Sequence, residues 1–176
     1  MLPLQHRYAT VMSADVAGYS RLIWDDAGHA IESLFACQAQ IHQLIADFGG
    51  RLVDFTGDNL LAEFSSEMPA LQCACAVQRA LAVFNRGRMR SKQLRFRIGL
   101  HAGRILTHND RLYGTTVNLA SRLQTAAPIG GLLVSGAFAE RAGNQEILTR
   151  GHDRTFKNIP TLVETWAVPA ERFNAE

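Results

Sequence analysis

Two aspartates occupy positions where the chain is predicted to turn sharply. Asp15 ends a β-rich run and precedes the glycine-containing segment 16–20, and Asp58 lies in the turn 56–59 between two β-patterned runs. A strand end and a hairpin tip on neighbouring strands can meet at one point, where paired carboxylates suit Mg²⁺ shared with substrate phosphates. Gly18 in the first turn could also direct backbone N–H groups towards a polyphosphate. Taken singly, each aspartate is more typical of an Asx-turn or a cap, so the metal site depends on the pair.

A second polar pair lies further along the chain. Asn118 and Arg122 are four residues apart in a segment with helical spacing, so they share one face of the predicted helix. One such pair on its own is more typical of a solvated stripe. Beside the two carboxylates, however, this polar pair adds weight to the interpretation as a functional site.

The apolar periodicity predicts the elements that must position these side chains. The expected strands cover residues 7–16, 51–55, 60–64, 94–101, 132–135 and 162–168. The expected helices cover residues 28–48, a segment opened by Pro69, and a segment capped by Thr115 or Thr116 that ends near residue 126. This order predicts one domain over residues 1–176. Its expected fold is α/β (α+β), with a mostly antiparallel sheet flanked by helices and a ferredoxin-like plan.

Composition narrows the class of protein. The formal net charge is only +2 and no large Lys/Arg cluster is present, which argues against nucleic-acid binding. The basic segment 86–90 is expected to be a solvated loop, with a partner surface as the alternative. No apolar run reaches the roughly 20 residues that cross a bilayer, and the N-terminus lacks a signal-peptide pattern. Cys37, Cys73 and Cys75 are expected to be buried thiols in a reducing cytoplasm rather than metal ligands.

Several segments together resemble one known family. They read ADVAGYSRL at 14–22, GGRLV at 49–53, TGD at 56–58, FRIGLHAGR at 96–104 and YGTTVNLASR at 113–122. In this order they are similar to the class III adenylyl and guanylyl (nucleotidyl) cyclase catalytic domain, and the similarity covers nearly the whole chain. The resemblance implies the ferredoxin-like cyclase fold and conversion of a nucleoside triphosphate to a 3′,5′-cyclic monophosphate and pyrophosphate.

The resemblance also implies a role for each matching residue. Two Mg²⁺ or Mn²⁺ ions per site would be held by Asp15, Asp58 and the backbone carbonyl of Val16. Phosphates would be bound by the turn at Gly18 and Tyr19, by Arg104 and by Lys157. Asn118 would position the ribose, and Arg122 would stabilise charge on the α-phosphate. In this family the sites are composites at a head-to-tail homodimer interface, so one chain would supply Asp15 and Asp58 and the other Asn118 and Arg122.

Two positions depart from the adenylyl cyclase pattern. Asp54 stands where a lysine usually reads adenine, and Arg111 stands where an aspartate or threonine accompanies it. A carboxylate acceptor and a guanidinium donor fit an N–H beside a carbonyl oxygen, which uracil and guanine present and adenine does not. UTP is therefore the expected substrate ahead of GTP, with CTP and ATP less suited. Phe55 would shrink the base pocket if its ring pointed into it. The alternative is that Asp54 and Arg111 pair with each other.

The expected architecture resembles stand-alone bacterial pyrimidine cyclases of phage defence, which make cyclic UMP or cyclic CMP for a separate effector. A guanylate cyclase making cyclic GMP is the alternative of the same class. An inactive cyclase-like domain that binds nucleotide or mediates dimerisation is the alternative of another class. It would account for the changed base-reading positions but not for Asp15, Asp58, Arg104, Asn118 and Arg122 occurring together.

Overall fold

The computed structural model describes residues 4–143 and 146–174. The helices are α1 (Tyr19–Asp47), α2 (Glu67–Phe84), α3 (Thr115–Ala126) and α4 (Gly136–Ala142). The first five strands are β1 (Gln5–Val16), β2 (Arg51–Thr56), β3 (Asn59–Phe64), β4 (Phe96–His108) and β5 (Arg111–Tyr113). The remaining strands are β6 (Leu132–Ser135), β7 (Thr149–Arg150), β8 (Arg154–Phe156), β9 (Ile159–Val163) and β10 (Thr165–Val168).

The main sheet has the strand order β2-β3-β1-β4-β6-β10-β7, and β5 pairs with the far end of β4. Its pairings are antiparallel except for the parallel pair β4–β6. Strands β8 and β9 form a separate two-stranded sheet. These findings confirm the predicted α+β fold with a mostly antiparallel sheet.

Side chains of β1 alternate between two packed faces, as expected for a strand covered on both sides. Met12 and Ala14 lie in a core with residues of α1 and α2, such as Leu34 and Leu71. On the other face, Val11 lies in a smaller core beneath α3. Asp15 falls on the α3 face, because it is an even number of residues from Val11. The α3 face is therefore the one that carries the candidate site.

Helix α3 lies unusually close to β4 because Gly99 has no side chain. A Cβ built on Gly99 would lie 2.2 Å from the backbone nitrogen of Gln124 and 2.3 Å from the carbonyl oxygen of Ala120. The hydroxyl of Ser13 also reaches the Gln124 side chain at 3.4 Å. The sheet thus fixes the position of α3 through direct backbone contact.

The predicted start of the first helix was wrong. Helix α1 begins at Tyr19 rather than at residue 28. Near the predicted start, the helix is kinked at Asp26, whose φ and ψ are −162° and 87°. The Asp26 carboxylate accepts a hydrogen bond from the His29 backbone N–H at 3.1 Å, which is how an N-cap begins a helix. The periodicity therefore detected only the second of two merged helical segments.

Other differences concern the ends of elements. Strand β1 begins at Gln5, α2 begins at Glu67 rather than at Pro69, and β4 runs from Phe96 to His108. The predicted strand 162–168 is divided at Glu164 between two sheets. Neither threonine caps α3: Gly114 is its N-cap, and the Thr116 hydroxyl instead donates to the Arg104 carbonyl at 2.7 Å.

The three cysteines are free and buried, as predicted. Burial raises the pKa of Cys37 and Cys73 to about 12 and that of Cys75 to about 11, so all three are thiols rather than thiolates at neutral pH. Across residues 4–143 and 146–174, no helix combines the length and apolar character that a bilayer crossing requires.

Candidate active site

The structure brings Asp15 and Asp58 to one point, at the end of β1 and the tip of the β2–β3 hairpin. Burial raises the pKa of Asp58, and the nearby negative charge of Asp15 raises it further. Hydrogen bonds from the backbone N–H groups of Asp58 and Val16 act in the opposite direction and stabilise the carboxylate. Because Val16 directly follows Asp15, its hydrogen bond to Asp58 means that the hairpin tip lies against the end of β1.

Arg97 lies beside Asp15 and was missed by sequence reasoning. The two residues are opposite each other in the antiparallel register of β1 and β4. The Arg97 Nε and Nη2 atoms donate to the two carboxylate oxygens of Asp15 at 2.9 and 2.5 Å. Its Nη1 atom donates to the carbonyl oxygen of Thr125, near the end of α3, at 3.1 Å. The alternation along 94–101 could have placed Arg97 on the α3 face, but not opposite Asp15.

The turn between β1 and α1 has the features of an anion site. Gly18 is the residue before α1 and has a φ of 71°. The first turn of α1 contains no acidic residue, and the first N–H groups of a helix have no intrahelical acceptors. Tyr19 lies close enough to Asp58 for the aspartate charge to raise the pKa of the phenol, after burial as the larger cause. The predicted phosphate-binding turn therefore adjoins the two carboxylates.

Asn118 and Arg122 lie on the exposed side of α3. Both are exposed, whereas Leu119, Ala120 and Leu123 form the buried face of α3 against the sheet. Within the described part of the chain, neither polar side chain has a hydrogen bond or an ion pair. The pair is therefore available to a ligand or a second molecule, as one half of a composite site would be.

Arg104 and Lys157 are also exposed and lie on different elements. Arg104 is part of β4, and Lys157 lies in the turn between β8 and β9, outside the main sheet. Among residues 4–143 and 146–174, nothing links either side chain to Asp15 or Asp58. Their predicted contacts with phosphates remain predictions.

Asp54 and Arg111 do not pair with each other in the described chain. The Asp54 carboxylate accepts the Thr56 hydroxyl at 2.9 and 3.0 Å, and Arg111 is exposed on β5. The alternative in which the two positions neutralise each other within this chain is therefore wrong.

The Phe55 ring lies on the face of the sheet opposite Asp54, so the condition under which it would shrink a base pocket is not met. Phe55 pairs with Leu60, and both pack with the core beneath α1 and α2. Asp54 pairs with Leu61, which packs on the α3 side. The register shift between Leu52 and Asp54 produces this arrangement, so Asp54 shares a face with Asp15.

An ion-pair network lies between the strand of Asp54 and the turn that precedes Arg111. Arg7 and Arg51 both pair with the nearly buried carboxylate of Glu63. Arg51 also donates to the carbonyl oxygen of Asp110 at 3.1 Å, next to Arg111 in the β4–β5 turn. The network thus holds the turn that precedes Arg111 against the strand that carries Asp54.

The donor set suits a hard divalent cation. No group of three or more His, Cys, Asp or Glu side chains that could hold a metal ion occurs in the described residues. Two carboxylates beside a phosphate-binding turn fit Mg²⁺ or Mn²⁺, because Mg²⁺ usually keeps several waters and takes one or two protein carboxylates plus substrate phosphates.

An α+β domain with two such carboxylates between a strand end and a hairpin tip is the arrangement expected of nucleotide cyclase domains. Residues 3–158 match the model of the adenylate and guanylate cyclase catalytic domain. The chain therefore belongs to that family.

Relatives support the same assignment. A protein of Rhizobium meliloti is 31% identical over 167 residues, which is 93% of this chain and 28% of the relative. The adenylate cyclase of Streptomyces coelicolor is 33% identical over 138 residues, or 76% of this chain and 34% of the relative. The chain thus spans about a third of the length of these relatives.

Solved structures show the same fold. The adenylate/guanylate cyclase/hydrolase from Silicibacter pomeroyi superposes with a TM-score of 0.88 at 28% identity, covering 95% of this chain and 99% of that one. The adenylyl cyclase CyaB from P. aeruginosa gives a TM-score of 0.83 at 21% identity, covering 95% and 96%.

Proposed function

We propose that this chain is the catalytic domain of a nucleotidyl cyclase. In the reaction, the ribose 3′-oxygen forms a bond to the α-phosphorus, and the bond between the α-phosphorus and the bridging oxygen to the β-phosphate breaks. Pyrophosphate leaves with that oxygen, and the 3′-hydroxyl proton is lost to solvent. The observation that carries the proposal is the meeting of Asp15 and Asp58 beside the turn at Gly18.

The residues would divide the chemistry between them. Asp15, Asp58 and the Val16 carbonyl would hold two Mg²⁺ or Mn²⁺ ions, which supply charge neutralisation at the attacking and leaving oxygens. The N–H groups at Gly18 and Tyr19 would bind phosphate oxygens. Fixed positive charge and directed N–H donors outside the metal site would come from the exposed side chains Arg104, Lys157, Asn118 and Arg122.

Arg122 would stabilise the negative charge that develops on the α-phosphate, while Asn118 would orient the ribose. Deleting a donor that is directed at developing charge lowers the turnover rate of an enzyme by about 10²–10³-fold. Because both side chains are exposed and have no hydrogen-bond or ion-pair partner within the described residues, we propose that they act in the site of a second copy. A homodimer would then contain two equivalent composite sites.

The substrate base would be read by Asp54 and Arg111. Both side chains are exposed, and Asp54 shares the α3 face with Asp15. An acceptor and a donor in these positions match the N3–H and O4 of uracil, so we favour UTP and cyclic UMP as substrate and product. GTP is the next candidate, because N1–H and O6 of guanine present the same pattern. The Streptomyces relatives are named adenylate cyclases. Asp54 and Arg111 differ in charge from the residues expected at these two positions in an adenylyl cyclase.

A cyclic pyrimidine nucleotide would act as a second messenger for a separate effector in the cytoplasm, including in antiviral defence. This part of the proposal follows from the preferred substrate. It fails if UTP is not the preferred substrate.

Purified protein incubated separately with each of the four nucleoside triphosphates and Mn²⁺ or Mg²⁺ tests the proposal. Products are identified by mass and by co-migration with 3′,5′-cyclic standards. We expect UTP to be turned over fastest and ATP slowest. A large preference for ATP would refute the roles of Asp54 and Arg111. No cyclic product from any substrate, with the dimer present, would leave a nucleotide-binding or dimerisation module.

A further inference from the structure

The position of Arg97 bears directly on how Asp15 can bind a metal ion. Its guanidinium engages both oxygens of Asp15 in a bidentate pair, and the two side chains are only 24% and 15% exposed. The third contact, to the Thr125 carbonyl, holds the guanidinium plane from the side of α3. Three N–H donors from one planar group therefore fix both its position and its orientation.

This geometry creates a competition. A carboxylate that ligates a divalent cation must give it a lone pair of at least one oxygen, and Arg97 already takes one lone pair on each oxygen of Asp15. The guanidinium and the cation also repel each other, and partial burial weakens the screening of that repulsion by water. Arg97 therefore stabilises the Asp15 carboxylate more when no metal ion is bound to it than when one is.

We propose that Arg97 is a positioning residue that sets the metal affinity of Asp15 and the direction in which its carboxylate faces. It would serve as the counter-ion of Asp15 when no cation is bound and would keep the carboxylate oriented when one is. This inference rests on the proposed metal-binding role of Asp15. Arg97 lies in the matched segment 96–104, but the roles that the resemblance implies did not include one for it.

A purely structural salt bridge would behave differently, and the chain contains one for comparison. Arg7 lies on the same strand as Asp15 and pairs with Glu63 in the same sheet, where Arg51 is a second partner. Removing Arg7 perturbs an arginine–carboxylate pair without altering the charge around Asp15. It is therefore a matched control for Arg97.

The test is Mn²⁺ binding, measured from the electron paramagnetic resonance signal of free Mn²⁺ in titrations of the dimeric protein. We expect Arg97→Gln to bind Mn²⁺ about tenfold more tightly than the wild type, because a neighbouring positive charge is lost. Turnover of the same variant should fall, because Asp15 is no longer oriented. Arg97→Lys keeps the charge without the bidentate geometry, so it should retain wild-type Mn²⁺ affinity and still lose turnover. Arg7→Gln should leave the Mn²⁺ affinity unchanged.

Unchanged or weaker Mn²⁺ binding by Arg97→Gln, in protein that retains the wild-type circular dichroism spectrum, would overturn the inference. So would the absence of measurable Mn²⁺ binding by both proteins. Asp15→Asn separates the inference from its premise: if this variant binds Mn²⁺ like the wild type, the metal role of Asp15 is wrong. Tighter binding by Arg97→Gln without any cyclic product would support the inference while removing the cyclase function.

Discussion

Replacing Gly99 with alanine should displace the helix that carries Asn118 and Arg122. The added Cβ would lie 2.2 Å from the Gln124 backbone nitrogen, while non-bonded heavy atoms prefer about 3.5 Å or more. Because the obstructing atoms are backbone rather than a flexible side chain, α3 must move away from β4 by about 1 Å to relieve the contact.

The expected cost of Gly99→Ala has two parts. Overpacking of this kind lowers the free energy of unfolding by about 1–3 kcal/mol. A displacement of about 1 Å in residues that bind substrate can lower turnover by about 10²-fold. Thermal or urea unfolding measures the first part, and cyclic-nucleotide formation under conditions where the protein is fully folded measures the second.

Gly49→Ala is the matched control, because it makes the same chemical change without touching α3. Gly49 has a φ of 70° and open space around the added Cβ, so the variant should lose about 1–2 kcal/mol through backbone strain. Its turnover should be unchanged once it is folded. Wild-type stability and turnover in Gly99→Ala would refute the account of how α3 is positioned.

Three further predictions address stability, specificity and catalysis. Burial lowers the pKa of His101 to about 4. Between about pH 4 and 6.5 the unfolded chain therefore binds a proton on this histidine more readily than the folded chain does. The free energy of unfolding should accordingly fall as the pH decreases through that range, by up to about 1.4 kcal/mol per pH unit. Urea unfolding at pH 7 and pH 5 should show this loss in the wild type but not in His101→Gln. The double variant Asp54→Lys/Arg111→Asp should shift substrate preference towards ATP; unchanged ratios of initial rates across the four triphosphates would count against base reading by this pair. Arg122→Ala should lower kcat by about 10²–10³ while leaving the melting temperature unchanged, and full activity would exclude Arg122 from the reaction.

The sequence predicted those parts of the fold that local patterns specify. Alternating apolar residues and turn residues predicted β1 and the hairpin with Asp58 at its tip. The proximity of Asp15 to Asp58 followed from placing the end of one strand beside that tip. Helix α1 was mislocated because Asp26 begins a second helical segment inside a longer helix, which periodicity alone detects as a start. Short elements such as α4 and β5 contain too few residues for a period to be recognised.

The parts of the site that depend on register could not be predicted. Arg97 lies opposite Asp15 only because β1 and β4 pair in one register, which two separate alternating patterns do not specify. The direction of Phe55 depends on a register shift within β2, and its ring packs in the core as a result. Resemblance to the family identified Asn118 and Arg122, but only their exposure in the structure supports a role in a second chain's site.

Complementation between two inactive variants tests the central claim most directly. Asp58→Ala and Arg122→Ala should each be nearly inactive as homodimers, because every composite site lacks one of its two residues. In an equal mixture after subunit exchange, half of the dimers should be heterodimers with one intact site of two, so cyclic-nucleotide formation should reach about a quarter of the wild-type rate. No recovery of cyclic product in a mixture with demonstrated exchange would contradict a site assembled from two chains.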